Sequence, residues 1–108
     1  MDDKTKYGLQ ESDIEQIVFS MQQNLNITKI ILFGSRAKGT NHTGSDVDLA
    51  LYGDKLGFND ILDLSIEIEK MNLPYKFDLI LYNRIKESTL IDHINRVGIR
   101  LFERGNKC

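Results

Sequence analysis

The sequence predicts an α/β (α+β) domain, a small mixed sheet with helices packed on it. Three observations carry this. Helix-period and strand-period segments follow one another in the order α-β-β-α-β-α-β. The connection between the first two strands is turn-rich and too short for a crossover helix, which makes that pair antiparallel. The chain has 108 residues, 41% of them hydrophobic and 28% charged, enough for one domain around one core.

Each element has a local signature. Ser12-Asp13-Ile14-Glu15 reads as a capping box opening a first helix. Ile14, Ile17, Val18 and Met21 then fall on one helical face, and the helix fades near Asn24. Residues 28–33, β-branched and apolar, predict a buried strand ending at Gly34-Ser35. Residues 36–45 contain Gly39, Asn41, Thr43 and Gly44, a turn-rich connection with room for one helical turn over residues 35–38. Residues 46–52 alternate: Val47, Leu49 and Leu51 point one way, and Asp46, Asp48, Ala50 and Tyr52 the other.

Asn59 is the expected cap of a second long helix, with Ile61, Leu64, Ile68 and Met71 on its core face and Pro74 beyond its end. Residues 76–82 alternate again, with Phe77, Leu79 and Leu81 on one side and Asp78, Ile80 and Tyr82 on the other. Leu90, Ile91, Ile94 and Val97 mark a last helix stopped by Gly98, and residues 99–102 form a short final strand. No internal repeat, low-complexity stretch or linker divides residues 1–108, which read as a single domain.

Composition narrows the functional classes. The formal charge of −2 and isoelectric point near 5.6 leave no basic surplus for coating a duplex, so direct nucleic-acid binding is not expected. Arg84, Lys86, Arg96, Arg100, Arg104 and Lys107 make the C-terminal quarter mildly basic. No apolar run exceeds the length of Ile30-Ile31-Leu32-Phe33, far short of a bilayer span of roughly 20 residues. The polar start Met1-Asp2-Asp3-Lys4 shows no secretory pattern, and the single cysteine, Cys108, excludes a disulfide framework. A cytoplasmic location is the resulting expectation.

Three features carry chemistry. Gly34-Ser35 closes a buried strand, Asp46-Val47-Asp48 opens the next, and Asp78 interrupts a strand that otherwise favours apolar residues. Carboxylates two apart on a strand share a face and repel each other unless a cation lies between them. Hard oxygen donors suit magnesium or manganese. Asp78 joins them if its strand adjoins theirs; a salt bridge to a lysine is the alternative. Glycine permits a tight turn close to a ligand, and the Ser35 hydroxyl and nearby N–H groups suit a phosphate. Phosphates on one side and metal carboxylates on the other make a nucleotidyl-transfer site.

The string Phe33-Gly34-Ser35-Arg36-Ala37-Lys38-Gly39, followed by Ser45-Asp46-Val47-Asp48-Leu49-Ala50 and by Asp78 on a later strand, resembles the signature of the DNA polymerase beta superfamily. Within it, the chain resembles the minimal nucleotidyltransferases, small prokaryotic proteins often paired with a helical partner in toxin–antitoxin modules. The resemblance runs from the first helix to the final strand. It implies that Gly34 and Ser35 contact nucleotide phosphates and that Asp46 and Asp48 bind both metal ions. It also implies that Asp78 binds the catalytic metal and helps deprotonate the acceptor hydroxyl. Arg36 and Lys38 either neutralise phosphate or are solvated charges. His42 reads as a loop residue, His93 as a helix-surface residue and Cys108 as a tail.

Larger relatives append a domain that holds the acceptor, so the resemblance implies that another chain, or a second copy of this one, completes the site here. The implied cofactor is magnesium (or manganese), with ATP as substrate. The implied partner is a small all-helical protein encoded nearby, AMP being transferred to one of its hydroxyls. A non-catalytic nucleotide-binding module that assembles with such a partner is the competing expectation.

Overall fold

The computed structural model describes residues 5–42 and 44–105; Thr43, Lys107 and the expected Cys108 tail lie outside them. A four-stranded sheet is ordered β5-β4-β3-β6 and built from β3 (Lys29–Phe33), β4 (Val47–Tyr52), β5 (Phe77–Leu81) and β6 (Ile99–Glu103). The β3 strand pairs antiparallel with β4, as the short connection requires, and with β6. The β4 and β5 strands run parallel, with helix α3 (Phe58–Glu69) between them in sequence. Small mixed sheet and packed helices are as the patterning predicts. A further two-stranded hairpin, β1 (Thr5–Lys6) and β2 (Leu9–Gln10), precedes helix α1 (Glu11–Gln22).

Helices α1 and α3 cover one face of the sheet. Ile17 and Met21 from α1, and Leu64 and Ile68 from α3, pack with Ile30, Leu32, Val47, Leu49 and Leu51 in the larger core cluster. Helix α4 (Ser88–Val97) serves the other face, where Ile94 packs with Ile31, Phe33 and Ala50. Covered on both faces, β3 is apolar throughout after Lys29, whereas β4 alternates.

Helix starts differ from the local expectation. No capping box forms at Ser12; α1 begins at Glu11 with Gln10 as its N-cap. Tyr75 bonds this end of the helix from a distance. Its hydroxyl accepts the Gln10 N–H (3.2 Å) and donates to Asp13 Oδ2 (2.9 Å). Helix α3 begins earlier than an Asn59 cap would set it, with Gly57 as N-cap. There the Asp60 carboxylate accepts the Gly57 N–H at 2.8 Å and an Asn24 side-chain N–H at 3.0 Å, which holds its pKa below the usual carboxylate value. Gly98 ends α4, but in extended rather than left-handed backbone. Glycine is needed because a Cβ there would strike the Ile94 carbonyl and the Ile31 side chain.

Candidate active site

The candidate residues gather where β3, β4 and β5 end and begin. Gly34 follows β3 with φ 79° and ψ −158°, a region of backbone space essentially restricted to glycine. Its Cα also has no room for a side chain, since a Cβ would collide with the Asp48 carboxylate. Sequence position and spatial position therefore demand the same residue. The expected helical turn forms as α2 (Ser35–Lys38), closed by Gly39 in the left-handed region.

Asp48 lies in the second position of β4, cross-strand from Phe33 and in parallel register with Asp78 on β5. Register neighbours on adjacent strands stand about 4.8 Å apart. Asp46 precedes β4 by one residue, so the strand starts one residue later than its alternation suggests. The Asp48 carboxyl is raised from 3.8 to about 6, most by burial and then by the negative charges of Asp78 and Asp46, with the Arg36 guanidinium opposing the rise. Asp46 and Asp78 are themselves exposed.

The three carboxylates thus feel one another's charge, but they do not converge on a single point. Among the described residues, no three His, Cys, Asp or Glu side chains are gathered into a metal-holding group. The donor chemistry nonetheless fits magnesium or manganese: oxygen donors in mutual repulsion beside a glycine turn with no side chain in the way. With backbone separations fixed by strand register, side-chain rotamers are what remains to adjust.

Arg36 is placed differently from a phosphate-neutralising residue facing solvent. It is 5% exposed and lies beneath the turn. Its two terminal nitrogens donate to the Tyr7 carbonyl (3.0 Å) and the Ser45 carbonyl (2.8 Å), and its guanidinium lies 5.7 Å from the Tyr75 ring centre. It therefore ties the N-terminal hairpin, α2 and the approach to Asp46 together. Lys38 is exposed on α2 and keeps its candidacy. His42 is an exposed loop residue, as its surroundings in sequence suggest.

His93 is the residue that sequence reasoning missed. It is half-buried, not on an open helix surface, and its Nε2 accepts the Gly34 N–H at 3.0 Å. Its ring packs edge-on against Phe33, with centroids 6.1 Å apart. A polar residue one position before the buried Ile94 was the only local signal.

A parallel carboxylate pair, a third acid on the approach and a glycine-serine turn define a nucleotidyltransferase type of site on an α/β scaffold. The family model described as "Polymerase beta, Nucleotidyltransferase" matches residues 15–107, and the chain belongs to that family. No curated protein matches it. Its fold is similar to that of a toxin–antitoxin complex crystallised with AMP-PNP, at 22% identity and TM-score 0.66, covering 83% of this chain and 73% of the other. The MNT antitoxin complex with the tri-AMPylated HEPN toxin of Shewanella oneidensis gives 18% identity and TM-score 0.66, covering 87% and 72%. A Sulfolobus solfataricus protein gives 15% identity and TM-score 0.56, covering 86% and 79%. Among the described residues, no helix is long and apolar enough to cross a membrane.

Proposed function

We propose that this chain transfers AMP from ATP to a hydroxyl of a small helical protein partner. The observation that carries the reading is the in-register Asp48–Asp78 pair, with Asp46 nearby in charge and the Gly34 turn directly against Asp48. Gly34 and Ser35 hold the nucleotide phosphates, Lys38 adds positive charge, and Asp46, Asp48 and Asp78 hold magnesium or manganese. Such a cation, when bound, neutralises the triphosphate and the charge that builds up in the transition state.

The acceptor hydroxyl oxygen attacks the α-phosphorus as the bond to pyrophosphate breaks. Asp78 is the group offered to the acceptor's proton, being exposed on the edge strand where a partner can approach. Asp48, more enclosed, is kept as the inner ligand. Support for a protein acceptor comes from the similar folds found in toxin–antitoxin complexes, one of which contains an AMPylated toxin.

The test is incubation with labelled ATP, magnesium and the protein encoded beside this one, followed by mass spectrometry of both. An added AMP on the partner, absent with Asp46→Asn, is the expected result. A tight complex that protects the cell equally well with Asp46→Asn would favour the non-catalytic module.

A further inference from the structure

We propose that His93 is a positioning residue for nucleotide binding, acting through the Gly34 peptide. The inference rests on the nucleotidyltransferase reading and deepens it. Glycine enters the Gly34 backbone region without strain but is equally free to leave it, so its surroundings must select this conformation. Three constraints do so. Its N–H is bound by His93 Nε2 at 3.0 Å, its carbonyl accepts the Lys38 N–H at 3.1 Å, and the Asp48 carboxylate fills the space where a Cβ would stand.

The latter two constraints are local to the signature motif. The first arrives from α4, fifty-nine residues along the chain. A backbone N–H can only donate, so Nε2 carries no proton in this arrangement, and the neutral ring has its proton on Nδ1. The ring is steadied in turn by Phe33, and Ile94 beside it anchors α4 on Ile31, Phe33 and Ala50. His93 thereby makes the orientation of the Gly34-Ser35 turn a property of the packed sheet. Without the acceptor, the Gly34 N–H turns to water, and a nucleotide must reorder the turn when it binds.

His93→Leu keeps the apolar contact with Phe33 and removes the acceptor, whereas His93→Gln presents a carbonyl oxygen near the Nε2 position. The Gly34 amide resonance and its hydrogen exchange report the lock directly. AMP-PNP binding with magnesium, and the KM for ATP against kcat, report its use. His93→Leu is expected to shift the Gly34 amide, speed its exchange and weaken AMP-PNP about tenfold, mostly in KM. His93→Gln is expected to recover most of that loss. An unmoved Gly34 amide in His93→Leu, or nucleotide binding equally weak in both variants at equal thermal stability, overturns the proposal. Failure of the transferase reading looks different: the wild-type protein itself then binds no AMP-PNP with magnesium.

Discussion

On the sheet face turned to α1 and α3, Ile30, Leu32, Leu49 and Leu51 are sealed completely from water. On the face turned to α4, the same two strands present Ile31, Phe33 and Ala50 next to Asp48, with Asp78 alongside on β5. One face is covered by two long helices, and the other by a single shorter one that leaves the carboxylate end open. The difference shows how one short strand divides its work. Val47, Leu49 and Leu51 of β4 secure the fold, and on its other face Asp48 carries a charge that the fold tolerates because the packed face holds it in place, while Ala50 and Tyr52 pack beneath α4. Stability is concentrated on one side, and electrostatic strain on the other.

The strongest way to separate the faces is Asp46→Asn. Transfer chemistry relies on electrostatic stabilisation of the transition state, so AMP transfer should fall by at least about a thousandfold, roughly 4 kcal/mol of barrier. Its melting temperature should stay within a degree or two of wild type, read by calorimetry. A large loss of stability would show that Asp46 is structural and that the division between faces is false.

Next in size is Leu49→Ala, one residue from Asp48 but pointing into the sealed core. It should cost about 2–5 kcal/mol of unfolding free energy in urea titration, while the folded fraction keeps its turnover. Lost turnover per folded molecule would mean that the two faces are coupled.

Asp48 offers a finer probe through pH. Its folded pKa lies above its unfolded value, so the folded form binds the proton more tightly between about 3.8 and about 6. Stability without divalent metal should therefore fall as pH rises through that window and level off above it. Partial exposure screens the effect to on the order of 1 kcal/mol. Asp48→Asn should flatten this dependence and melt at or above wild type at pH 7.

Asp60, on the packed side, should behave in the opposite sense. Its folded pKa is lowered by the Gly57 N–H and then the Asn24 amide, so its contribution is present above the unfolded pKa and lost as the solution is acidified. Asp60→Asn should cost on the order of 0.5 kcal/mol at pH 7 and show less acid sensitivity than wild type. Identical acid profiles would remove that carboxylate from the account of α3.

Much of this was legible in residue order alone. The unbroken apolar run of β3, the alternation of β4 and the helical faces of α1, α3 and α4 depend on periodicity, which neighbouring residues impose on one another. The glycine-serine turn, the paired acids and an acid in an apolar strand were legible for the same reason, being short-range patterns with a definite chemistry. The Tyr7-Gly8 hairpin was not legible: both residues adopt positive φ in its two-residue turn, but tyrosine is not a usual residue there, and Thr5 and Lys6 gave no hydrophobic alternation.

The remaining features join partners far apart in sequence. The parallel register that sets Asp78 beside Asp48 depends on how α3 returns the chain to the sheet. The start of α1 is bonded by a hydroxyl sixty-two residues from Asp13, that of Tyr75, rather than by a local cap at Ser12. Arg36 has the charge for a phosphate in its motif, yet the N-terminal hairpin closes over it and its two terminal nitrogens are taken by main-chain carbonyls. His93 has no motif at all, and acquires its contact with Gly34 only when α4 docks on β3. Residue order settles which positions are apolar, which turn, and which carry charge, because those are properties of neighbours. Only the folded chain determined which charges face each other and which donors meet which acceptors, because hydrogen bonds and Coulomb forces act over distances that sequence separation does not measure.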